Sequence, residues 1–108
     1  MTARETGPNG FKTKFIKRIR DSFPECIVML TDPGYIQGAP DILVLHHETW
    51  AALEVKASAN SSHRPNQDWW VEKLNEHSYA AFVYPENQEE VLNELQFAFG
   101  TRRTPRLS

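Results

Sequence analysis

The chain has 108 residues, enough for one compact domain and not two. With 40% hydrophobic and 24% charged residues its composition is that of an ordinary globular protein, and no apolar run reaches membrane-spanning length. The formal net charge of −2 excludes a uniformly basic nucleic-acid binder, although a nuclease site must itself carry acids and needs only local basic groups. A single cysteine, Cys26, excludes an intrachain disulfide and a cysteine-rich zinc site. Residues Met1 to Gly10 are polar and lack the apolar region of a signal peptide, so a reducing, cytoplasmic setting is expected.

Residues 1–9 read as a flexible leader. Phe11, Phe15, Ile16, Ile19 and Phe23 then recur at helical spacing, which predicts an amphipathic helix over residues 10–22, ended by Pro24. Its outer face carries Lys12, Lys14, Lys17, Arg18 and Arg20 and reads equally as a solvated face and as a phosphate-contacting one. Cys26 to Leu30 is apolar and partly β-branched, which predicts a buried strand. A Thr31-Asp32-Pro33-Gly34 turn and a loop through Gly38-Ala39-Pro40 lead to a second strand, Asp41 to Leu45. His46 to Thr49 forms a polar hairpin, and Trp50 to Ala57 a third strand, antiparallel to the second. This pairing brings Asp41 opposite Glu54 and Lys56. Those two residues are two apart in a strand, so they project from one face while Val55 points into the other layer.

Ser58 to Arg64 is a small, polar loop beside these residues. Pro65 suits a first helical turn, and Gln67, Trp70, Val71 and Leu74 share the inward stripe of the helix it starts. Gln67 is the odd member, a polar amide at the end nearest the loop. A fourth strand, Ala80 to Tyr84, should lie parallel to the third because a helix separates them. A capping-box-like Asn87…Glu90 opens a last helix with Val91, Leu92, Leu95 and Phe99 inward and Gly100 as its stop. Residues 101–108 form a basic tail. The expectation is a single α/β domain over residues 10–100, in the order α-β-β-β-α-β-α, with a four-stranded mixed sheet and helices covering both faces.

Two acids and a lysine converging on one spot suit a Mg²⁺ ion held against a phosphate, because Mg²⁺ takes hard oxygen ligands and keeps several waters. A buried carboxylate also costs free energy unless paired or metal-bound, and Ala51, Ala52, Leu53 and Val55 mark this strand as largely buried. Taken singly, Asp41 is equally a turn residue, and Glu54 with Lys56 equally an exposed ion pair. The combination favours a site.

The Pro40-Asp41 and Glu54-Val55-Lys56 pattern, in this order of elements, resembles the PD-(D/E)XK nuclease superfamily, the restriction-endonuclease-like fold. With the preceding Gly38 and the following Pro65-Asn66-Gln67-Asp68-Trp69 it looks like the small VRR-NUC group, whose members occur alone in phages and as domains of repair nucleases. The resemblance covers residues 25–85. It implies that Asp41, Glu54 and the backbone carbonyl of Val55 bind Mg²⁺ or Mn²⁺, that Lys56 orients or activates the attacking water, and that Gln67 stands near the metal. It further implies a DNA endonuclease of phage or bacterial origin acting on branched, Holliday-junction-like DNA. Two cuts at a junction would suit a homodimer. Many members carry an acid on the first helix, and this chain departs there. Residues 10–20 contain no Asp or Glu, Glu5 lies upstream, Asp21 lies near the helix end, and Asn9 is close to the expected position.

Lys12, Lys14, Lys17, Arg18, His63 and Arg64 are the candidate DNA contacts. His46 and His47, adjacent at a strand end, should point apart and chelate poorly. Trp69, Trp70, Tyr35 and Trp50 read as core or dimer surface before base-stacking platforms. Two rival functions share the sequence: a catalytically weak module of the same fold that binds DNA or protein, and an unrelated α/β interaction domain whose acids are structural and lie far apart.

Overall fold

Phe11, Phe15 and Ile19 come four residues apart and are almost fully buried, so the first helix presents a narrow apolar stripe to the sheet. In the computed structural model, which describes residues 8–32 and 36–103, this helix (α1) spans Pro8–Ser22. The strands β1 (Ile27–Leu30), β2 (Ile42–His46) and β3 (Thr49–Val55) follow, then α2 (Pro65–His77), β4 (Tyr79–Val83), a 3-10 turn (Pro85–Asn87) and α3 (Gln88–Arg103). The sheet runs β1-β2-β3-β4 in sequence order, antiparallel for the first two pairs and parallel for β3 with β4. The protein is thus an α/β domain with a four-stranded mixed sheet and the order α-β-β-β-α-β-α. Residues 1–7, with Glu5 and most of the expected leader, lie outside the described residues, as do 33–35, with Tyr35, and the tail from 104 on.

Alternation along the strands sorts residues between the two faces. Ile42 and Val44 pair with Leu53 and Ala51, and all four are buried with Val55 and Val83 beneath α1 and α3. Val91, Leu92, Leu95 and Phe99 of α3 complete this core. The opposite face carries α2, which has no fully buried residue and packs over β3 and β4. Leu74 there overlies an apolar patch of Leu43, Leu45, Trp50 and Ala52. Helices thus flank both faces of the sheet, as expected, though not equally along it. Only the parallel pair, β3 with β4, is covered on both faces; the antiparallel half can leave one face open to water.

The first strand departs most from expectation. It is an edge strand, not a buried one, with Ile27 and Leu30 about 60% exposed (59% and 61%). An unbroken apolar run of this length carries no periodicity that would tell an edge from a centre. Asn87 does not cap α3 in the expected way either. It closes the 3-10 turn, accepting the Tyr84 N–H and donating to the Phe82 carbonyl. Gly100 does not stop α3, which runs on to Arg103; an exposed glycine weakens a helix without breaking it.

Candidate active site

Asp41 immediately precedes β2 and is held from both sides. Its backbone carbonyl accepts the Thr31 N–H (3.1 Å) at the end of β1, and its Oδ1 accepts the Val55 N–H (3.1 Å) from β3. The Thr31 hydroxyl donates to the Pro40 carbonyl (2.8 Å), fixing the residue before it. Bonding to Val55, the neighbour of Glu54, joins the two acids across the sheet and rules out the reading in which they lie far apart. The two-residue turn at His47-Glu48 sets the register that does this.

Glu54 lies on the α2 face of β3, opposite the core, and is 8% exposed. Burial raises its carboxyl from 4.5 to about 7, and the negative charge of Asp41 adds to the rise, against the opposing pull of Lys56 and Lys12. Gln67 is in the first turn of α2, directly above. Its Nε2 donates to Glu54 Oε2 (3.1 Å), and its Oε1 accepts from Lys56 Nζ (2.8 Å) and from the Arg64 N–H (3.1 Å). The amide therefore bridges acid and ammonium with one orientation. Lys56 Nζ also donates to the Ser62 carbonyl (3.1 Å), so the polar loop after β3 shapes the site. The result is a cleft of about 330 Å³ lined by Lys12, Asp41, Glu54, Arg64 and Gln67 with the Ile36–Ala39 loop.

Gly38 closes that loop against α2. Its φ is +88°, a left-handed value that side chains rarely adopt, and a Cβ there would stand 2.6 Å from the Asn66 side chain. Asn66 in turn donates to the Gln37 carbonyl (3.2 Å), tying the loop to the start of the helix.

The first helix supplies a cation in place of an acid. Lys12 Nζ is 3.1 Å from Asp41 Oδ2, and both side chains are about one-quarter exposed (23% and 27%). Asp21 pairs instead with exposed Lys17 (3.0 Å) and does not line the cleft. The remaining candidate DNA contacts separate. Arg64 lines the cleft and Lys14 is exposed on α1. Arg18 is drawn to α3, 2.8 Å from both Gln88 Oε1 and Glu89 Oε2, which takes it out of a common basic face. His63 stacks on Phe82 (centroids 4.0 Å) and pairs with Asp68 (2.9 Å). Trp69 is exposed and meets Trp70 edge-on, whereas Trp50 belongs to the half-covered apolar patch.

The chain has the fold of a VRR_NUC domain. A solved structure described as "VRR_NUC domain" superposes with a TM-score of 0.61 over 78% of this chain and 92% of the other, at 22% identity. No family model matches the sequence. No curated protein matches it.

His46 and His47 do not point apart. His47 adopts a left-handed φ of 56°, which turns its ring back to 4.6 Å from that of His46. His47 Nε2 bonds Glu25, and the donor atoms of Glu25, His46 and His47 all lie within 4.8 Å of one another, a set of the kind that could hold a metal ion. This cluster is at the far end of β2 from Asp41, roughly 16 Å along the strand. His46 is itself core, stacked on Phe99 (4.8 Å). The sequence signals missed were of two kinds. Lys12 reads from the sequence as one of several candidate DNA contacts on the basic face of α1, and its pairing with Asp41 depends on a partner far along the chain. The turn of His47 goes with the two-residue hairpin, whose favoured geometry takes a positive φ at its first central residue, a conformation histidine adopts more readily than most side chains.

Proposed function

We propose that this protein is a metal-dependent endonuclease that hydrolyses DNA phosphodiester bonds, with structured or branched, Holliday-junction-like DNA as its substrate. The carrying observation is that Gln67 bridges Glu54 and Lys56 beside Asp41 in one cleft. Two carboxylates and an ammonium meet there on the fold of a VRR_NUC domain. The branched-DNA substrate rests on that likeness and on the sequence motif, not on a particular residue.

The site suits Mg²⁺ or Mn²⁺. Two hard carboxylates stand side by side, and burial opposes the ionisation of Glu54, which Lys56 and Lys12 offset only in part. Asp41 and Glu54 would hold the ion, with the backbone carbonyl of Val55, the residue after Glu54, as a further ligand. When bound it supplies charge for the phosphoryl oxygens and acidifies a water. The chain's own groups do the rest. Lys56 has two of its three protons directed at Gln67 and Ser62, and the third can orient the attacking water or meet the phosphate. Gln67 keeps that ammonium at a fixed place and keeps Glu54 turned toward Asp41. Arg64 at the rim and Lys14 on α1 supply local positive charge for the DNA backbone.

A panel of linear, flapped, four-way and single-stranded DNA, with Mg²⁺ or Mn²⁺, tests the reading. Cleavage of the branched substrates is expected from the wild type and none from Asp41→Asn; equal cleavage by both would overturn it. One observation favours a second reading, a catalytically weak DNA- or protein-binding module: Lys12 already occupies the outer oxygen of Asp41. Shifted but uncut four-way DNA would select it.

Resolving a junction needs two cuts, and the exposed apolar side chains Ile27, Met29 and Trp69 offer surface for a second copy. A homodimer is therefore expected. Light scattering that gives the mass of one chain at working concentration counts against it.

A further inference from the structure

We infer that Lys12 is a built-in cation that restricts the site to one divalent ion and competes with that ion for Asp41. The inference rests on the metal-dependent reading above and concerns how this chain regulates that site.

The geometry comes first. Asp41 has two oxygens, and both are engaged: Oδ1 by the Val55 N–H and Oδ2 by Lys12 Nζ, each at 3.1 Å. Each oxygen keeps a further lone pair, so an ion shared between Asp41 and Glu54 could still bind, but at Oδ2 it would stand beside the Lys12 ammonium and be repelled by it. Lys12 is the cation that such an ion would have to push aside.

Lys12 is not a wandering surface lysine. Its neighbours on α1, Phe11 and Phe15, are buried with ring centroids 5.6 Å apart, which fixes the helix from which the side chain leaves. The Lys12 side chain is 23% exposed, whereas that of Lys17, one turn further along the same helix, is 76% exposed. The ammonium is thus part of the cleft wall.

Charge then decides the number of ions. Asp41 and Glu54 are the two carboxylates lining the cleft, among the described residues. Lys12 and Arg64 line it too, and Lys56 adjoins it through Gln67, so the two negative charges already face three positive ones. One divalent ion raises that excess, and the negative charge of a phosphodiester offsets part of it. A second divalent ion would have no further carboxylate to bind and would face three cationic neighbours at close range. Lys12 thus provides positive charge at the cleft wall for an incoming phosphate. The four-carbon stem lets its ammonium pass from Asp41 to a phosphate oxygen without movement of α1.

Titration of the full-length chain with Mn²⁺ at pH 8 and without DNA tests this, by calorimetry for affinity and by electron paramagnetic resonance for stoichiometry. The wild type should bind one Mn²⁺ that is lost in Asp41→Asn, which separates it from any ion held by Glu25, His46 and His47. Lys12→Gln should still bind one, about tenfold more tightly, because the competing ammonium is gone. Lys12→Glu, which adds a third acid, should bind tighter still and admit a second ion. Lys73→Gln, an exposed change on α2, should leave the affinity unmoved. A thermal melt of each variant checks that it is folded. Two ions that are both lost in Asp41→Asn, or an unchanged dissociation constant in Lys12→Gln, would overturn the inference. Because no substrate is present, its failure is separable from that of the nuclease reading. DNA cleavage with a Lys12-independent metal affinity sinks only this inference. One Lys12-sensitive ion in a chain that never cuts DNA sinks only the other.

Discussion

Glu54→Gln is expected to abolish metal-dependent cleavage, by roughly a thousand-fold or more, and at the same time to make the metal-free protein more stable above neutral pH. The two effects have one cause. The carboxyl of Glu54 is buried and sits beside Asp41, so its ionisation is opposed in the folded state and its pKa stands at about 7 against an ordinary 4.5. The unfolded chain ionises at the ordinary value. Below pH 4.5 both states are protonated and nothing is lost. Between 4.5 and 7 the unfolded chain gives up its proton while the folded one keeps it, so stability falls as pH rises. Above 7 the whole penalty is present. The full shift corresponds to about 3 kcal/mol, and roughly 1–2 kcal/mol remains once solvent in the cleft is allowed for. Glutamine keeps an oxygen for the Gln67 N–H and carries no charge. Its melting temperature should therefore match the wild type at pH 4 and exceed it by several degrees at pH 8. Equal melting curves at pH 8 would show that Glu54 is not under electrostatic strain, and undiminished cleavage would remove it from the site.

The same raised pKa makes metal binding strongly pH-dependent. A divalent ion needs the carboxylate, so below about pH 7 its binding must displace a proton from Glu54. The Mn²⁺ dissociation constant should weaken about tenfold for each unit of pH below 7 and level off above it. From pH 7.5 to 5.5 the loss is more than ten-fold, well beyond what an ordinary carboxylate would give in that range. Calorimetry in two buffers of different ionisation enthalpy, at pH 6, should count close to one proton released per ion. A dissociation constant flat from pH 5.5 to 7.5 would refute the coupling. Where chemistry limits the rate at subsaturating metal, cleavage should follow the same curve.

The parts of the fold that the sequence made legible are those whose signals are local. Phe11, Phe15 and Ile19 marked α1, Pro65 marked the start of α2, and the short hairpin at His47 forced β2 and β3 together. The helix between β3 and β4 required a parallel pair. The meeting of Asp41 with Glu54 followed from that hairpin, and Gln67 was visible as a polar break in an apolar stripe. What stayed hidden depends on long-range neighbours. The exposure of β1 is a property of having one strand partner instead of two, and Ile27 to Leu30 read the same in either place. Asn87 carried a capping signal that the 3-10 turn before α3 used instead. Arg18 and Lys12 are both basic residues of one helix, yet one is pinned to α3 and the other to Asp41; no spacing rule separates them, because their partners lie far along the chain.

The two-residue turn between β2 and β3 also has a consequence in time. Asp41 and Val55 are fourteen residues apart and are joined by the closure of a short loop, among the fastest and least entropically costly steps in folding. Lys12 reaches Asp41 only when α1 docks on the finished sheet. The two acids are thus joined by a local contact within one hairpin, whereas the first-helix cation reaches Asp41 across twenty-nine positions of chain and depends on the packing of α1 against the sheet.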